Sequence, residues 1–123
     1  MEISFVNDEL STNIDDIIAF AKKNSLKYVE LRKINDKDIV DISIEEASEL
    51  SLKLSSSGIL VSAIASPFLM WASDKQYFSI MGQAIASEEE YFIKLMDLAD
   101  IFGAPNICIY SYLIPYYFLI WEY

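Results

Sequence analysis

Leu26-Lys27-Tyr28-Val29-Glu30-Leu31-Arg32 decides the fold class. Tyr28, Val29 and Leu31 are bulky or β-branched apolar residues of the kind strands favour, and a helical stretch runs directly into them. A helix that feeds straight into an apolar strand implies a parallel sheet covered by helices. In such sheets ligands gather where the strands finish. The segment closes on a carboxylate and a guanidinium, so Glu30 and Arg32 are candidate binding residues at that rim.

On the N-terminal side, Glu2 to Val6 reads as a first strand and Asn7-Asp8-Glu9 as a polar loop. A helix then opens at Thr12 or Asn13, with Ile14, Ile17, Ile18 and Ala21 on one face. Asp15 and Asp16 in its first turn and Lys22 and Lys23 in its last complement the helix dipole. Asn24 is the residue expected to take the left-handed conformation that ends it.

On the C-terminal side, Lys33-Ile34-Asn35-Asp36-Lys37-Asp38 is polar enough to read as a loop outside the core. Ser43 and Glu46 have capping-box spacing and open a second helix, whose buried face is Ala47, Leu50 and Leu54 and whose end is Gly58. Ile59 to Ala65 is the clearest buried strand, stopped by Ser66-Pro67. Residues 68 to 86 read as a long loop with a helical portion. Ser87 and Glu90 repeat the capping spacing before a third helix that turns Tyr91, Leu95, Leu98 and Phe102 inward and ends at Gly103. Pro105 leads into a fourth strand, Asn106 to Tyr110.

The pattern is βαβαβαβ, for which parallel strands joined by right-handed crossovers are expected, neighbours in sequence lying side by side. A small doubly wound sheet and part of an eight-stranded barrel both satisfy it. Neither a G-x-G-x-x-G nor a P-loop follows the first strand, so a nucleotide-binding version gains no support.

Composition narrows the function classes. In 123 residues, 54% of them hydrophobic, one domain with a real core is expected and a disordered chain is not. A formal charge of -10, with only nine scattered Lys and Arg, argues against a nucleic-acid surface. The absence of histidine removes His-based triads and imidazole metal ligands. The lone Cys108 excludes an internal disulfide, fits a reducing, cytoplasmic setting, and reads as a buried structural thiol. Met1-Glu2-Ile3-Ser4 lacks the basic and apolar regions of a secretion signal. Asp15-Asp16 and Glu88-Glu89-Glu90 read as solvated helix starts.

Four segments in order, Ser4-Phe5-Val6-Asn7-Asp8-Glu9, Lys27 to Arg32, Asp41-Ile42-Ser43 and Val61-Ser62-Ala63-Ile64-Ala65-Ser66-Pro67, carry a resemblance. With the helix before Gly103 and the strand Asn106–Tyr112, they resemble the N-terminal part of the sugar phosphate isomerase/epimerase family. The resemblance implies a fold class: α/β, the N-terminal half of a xylose-isomerase-like TIM (β/α)8 barrel, about four βα units, over residues 1–112. Family members are about twice this length, as a typical barrel of ~250 residues requires. The chain departs from the family after Ser66-Pro67, where Phe68-Leu69-Met70-Trp71 replaces a frequent lysine, and in the 34–38 loop, where relatives often carry Trp-Gly-Lys-Asn. Residues 113–123 form an atypical apolar tail, read as the remnant of a truncation or frameshift. The apolar run from Ile107 to Trp121 spans 15 residues and contains Pro115, whereas a spanning helix needs ~20, so no membrane span is expected.

The resemblance further implies a parent activity of metal-assisted isomerisation or epimerisation of sugars or sugar phosphates. Family members hold a divalent metal (Mn, Mg, Co or Zn) with two glutamates, an aspartate and a histidine from the second half of the barrel. The metal polarises the substrate while the glutamates move a proton between neighbouring carbons. None of those ligands can be placed on this sequence, so no catalytic or metal-ligating residue is assigned and the chain is expected to be inactive alone. Glu30, Arg32 and Ser66 remain as candidate substrate-binding residues for sugar hydroxyls or a phosphate, with Asp8 and Glu9 farther out. The bland alternative is that Glu30 and Arg32 pair with each other or with neighbouring strands. A half-barrel interaction module is the second function class, since open edges and an unfilled interior favour self-association. A four-stranded flavodoxin-like binding domain is the third.

Overall fold

A computed structural model of the chain describes residues 1–65 and 88–109. Within them the fold is α/β. Strands β1 (Ser4–Val6), β2 (Tyr28–Leu31), β5 (Leu60–Ala65) and β6 (Ile107–Cys108) form one sheet in the order β1-β2-β5-β6. Every pairing in that sheet is parallel, as the alternating pattern requires. Helices α1 (Ile14–Lys23), α2 (Ile44–Ser56) and α3 (Glu88–Phe102) lie between successive strands in sequence. The strands are shorter than the sequence implies, notably the last. The expectations for 66–87 and 110–123, including Ser66, the Ser87 cap and the apolar tail, lie outside the described residues.

Each helix buries the face its spacing marks: Ile14, Ile17, Ile18 and Ala21 in α1, Ala47, Leu50 and Leu54 in α2, and Tyr91, Leu95, Leu98 and Phe102 in α3. These side chains join Val29 and Leu31 of β2 and Val61 and Ile64 of β5 in one core, with Phe5 and Ile107 packed against it. All three described helices therefore cover the same face of the sheet. Ala63 and Ala65 are also buried but stand outside that core, on the opposite face.

One device ends all three described helices. The residue after the cap, Ser25, Gly58 or Gly103, takes a left-handed φ of 55°, 75° or 63°. The next amide then reaches back to the helix: Leu26 N–H to Ala21 O at 2.8 Å, Ile59 to Leu54 at 3.0 Å and Ala104 to Ala99 at 2.8 Å. This Schellman closure satisfies orphan carbonyls and turns the chain straight into the next strand. In α1 it is Ser25, not Asn24, that adopts the left-handed conformation. Asn24 stays at φ -102° and instead donates from its side-chain amide to Phe20 O at 2.9 Å.

The polar stretch after Arg32 is not a loop outside the core. Lys33–Ile34 (β3) and Lys37–Asp38 (β4) form a two-stranded antiparallel hairpin, followed by a 3-10 turn at Ile39–Asp41. Asn35 and Asp36 make its two-residue turn with φ of 51° and 62°, a conformation that Asn and Asp tolerate through short polar side chains. Ile34, Ile39 and Ile42 are fully buried. Three isoleucines spaced among charges anchor this excursion in the core, a pattern that a count of charges conceals.

Candidate functional site

The C-terminal ends of β1 and β2 meet at Asn7, the one buried polar residue among the described residues. Its side chain is fully used. Oδ1 accepts from the Arg32 backbone N–H at 2.8 Å, while Nδ2 donates to Ser11 O at 3.3 Å and to Lys33 O. A buried amide that satisfies three backbone groups fixes the 3-10 turn Asn7–Glu9 against the end of β2 and the hairpin beyond it.

That arrangement sets the Arg32 guanidinium over the turn. Nε donates to both Asp8 carboxylate oxygens at 2.8 and 2.9 Å, and an η nitrogen donates to Glu9 at 2.7 Å. The Asp8 side chain is 11% exposed and Glu9 73%, so the cluster grades from shielded to open. Charge-assisted bonds of this kind hold both partners in one geometry. The hairpin tip is tied to the same loop: Thr12 Oγ1 donates to Asp36 at 2.7 Å, and the Asn35 N–H donates to Thr12 O at 2.9 Å. Ser43 caps α2 as its spacing implies, accepting from the Glu46 N–H at 3.1 Å, but the Glu46 carboxylate turns away to accept from Asn35.

Glu30 and Arg32 are not partners. Glu30 lies in register with Val6 and Ala63, on the face opposite the helices. Its carboxylate stands by Cys108 two strands away, in register with Ala65 on the far side of β5. Partial burial, then the Glu30 charge and the hydrogen bond to it, push the Cys108 thiol above its usual range. Cys108 is thus a half-buried thiol beside a carboxylate, not the buried core thiol its apolar setting suggests.

A second pair on that face has the same form. Ser4 and Ser62 share a hydrogen bond of 2.6 Å between their hydroxyls, and Ser62 also donates to Val29 O of the intervening β2 at 3.2 Å. Two strand spacings of a flat sheet are ~9.6 Å, too far for two serines to bridge. The sheet therefore curls, concave on the face without described helices. The shift in pairing between Val29 and Glu30, opposite Ser62, is the local irregularity that permits it.

At the other end of the strands, Met1, Glu2, Ile3 and Asn24 to Tyr28 line an open cleft of about 320 Å³. There the Tyr28 phenol is pushed above its usual range, first by its hydrogen bond to Glu2 and then by the Glu2 charge. This cleft contains none of the candidate residues. Among the described residues no three Asp, Glu or Cys side chains converge as a metal ion requires, and no helix is long and apolar enough to cross a membrane.

Chemically, the rim offers carboxylates for hydroxyl donors and an arginine already bound by two of them. The concave face adds Glu30 and the two serines. Sequence reasoning missed Asn7, Ser4 and Ser62. The only signal for Asn7 was its position as the first polar residue after an apolar strand. Compared with protein-family models, curated proteins and solved structures, the chain matches none.

Proposed function

We propose that this chain contributes the first four βα units, and the substrate-facing rim, of a sugar phosphate isomerase/epimerase-type barrel. One observation carries the reading. On the face opposite the described helices, side chains meet between alternate strands, Ser4 with Ser62 over β2 and Glu30 with Cys108 over β5. In a (β/α)8 barrel each interior layer is built from alternate strands, so odd and even strands fill successive levels. The unreversed strand order supports it too, because a doubly wound sheet reverses its order at a switch point. In this reading Glu30 and the serines face the interior where a sugar's hydroxyls would lie. Arg32, held by Asp8 and Glu9, shapes the mouth and is a poor phosphate ligand until those carboxylates yield it. A divalent metal would need ligands from further strands, since precise placement of charge is what lowers the barrier. Calorimetry with Mn²⁺ and Co²⁺, beside an epimerisation assay over ketoses and sugar phosphates, tests it. The 123 residues should bind metal no tighter than millimolar and show no turnover. Micromolar binding lost in Glu30→Gln and accompanied by turnover would overturn that division of labour.

A second reading, a half-barrel module that completes itself by self-association, is favoured by the two ends of the sheet. Among the described residues β1 and β6 are its outer strands, and Ile3 and Ile109 beside them are 56% and 52% exposed. Strand edges flanked by exposed apolar residues favour pairing with another chain. Sedimentation velocity at micromolar concentration should then show a dimer or larger species, and a compact monomer would remove this reading.

A further inference from the structure

We draw no further inference here: the strongest candidate, the concave face of the sheet opposite the described helices, which carries Ser4, Glu30, Ser62 and Cys108, has nothing in the structure to show what covers it.

Discussion

Replacing Asn7 with alanine should cost more than any other single change at the rim. The side chain makes three hydrogen bonds to backbone groups, and it is fully buried. Asn7→Ala strands the Arg32 N–H and removes the donor to Lys33 O and Ser11 O. At ~1 kcal/mol net for each lost bond, the expected loss is about 3 kcal/mol. That is a large share of the ~5–15 kcal/mol available to a domain. With a urea m-value of ~1.5 kcal/mol/M, the midpoint should fall by about 2 M at unchanged m. Asn7→Asp provides a control with a pH signature. It keeps the acceptor for Arg32 N–H but sets a carboxylate against two carbonyls, so the protonated acid is favoured and the folded pKa rises above the unfolded value of ~3.9. The sign follows: its stability is fully present below that unfolded value and is lost as pH rises through the folded one. Asn7→Asp should therefore lie nearer the parent at pH ~4 than at pH ~7. Urea melts followed by far-UV circular dichroism read both. An Asn7→Ala loss under about 1 kcal/mol would refute the hub, because three buried bonds cannot be so cheap.

Two further outcomes are expected. Because the Glu30 carboxylate helps hold the Cys108 thiol above its usual range, Glu30→Gln should move the pH profile of iodoacetamide labelling at Cys108 to lower pH. Mass spectrometry of the labelled chain reads this, and an unmoved profile would separate the two side chains. Ser25→Gly should stabilise by about 0.5–1 kcal/mol, and Gly58→Ala should destabilise by about 1 kcal/mol, since the left-handed φ alone sets the sign at both helix ends. No atom lies within 4 Å of a Cβ built at Gly58, so a loss there reports backbone conformation and not a clash. Thermal melts that moved both variants the same way would contradict it.

The elements that the sequence discloses are those whose cause is local. Helix faces follow from a 3.6-residue period, so Ile14, Ile17, Ile18 and Ala21 could be assigned without knowing their neighbours. Gly58 and Gly103 announce helix ends because glycine takes a left-handed φ at little cost. Ser25 does the same work against that cost and carries no such mark, which is why Asn24 drew the assignment. The hairpin after Arg32 was concealed for a related reason. Its charges dominate the composition, while Ile34, Ile39 and Ile42 bury themselves at irregular spacing that matches no single period.

The candidate site was legible only as a list of residues, because its arrangement depends on pairings far apart in sequence. Arg32 meets Asp8 across 24 positions, and Ser4 meets Ser62 across 58. No periodicity encodes such contacts; they follow from the register of parallel strands and from how sharply the sheet curls. Glu30 and Arg32 sit two residues apart in the sequence, which suggested one shared site. Yet Arg32 lies past the last paired residue of β2, where the Asn7 bond turns the backbone toward the first loop. Glu30 remains within the strand and points across β5 to Cys108. One bond to a buried amide thus divides two neighbouring charges between two environments: a rim where a cation is already matched by carboxylates, and a concave face where a carboxylate stands beside a thiol. Among the described residues, the concave face carries hydroxyls and the Glu30 carboxylate, while the Arg32 guanidinium lies off it, held by Asp8 and Glu9.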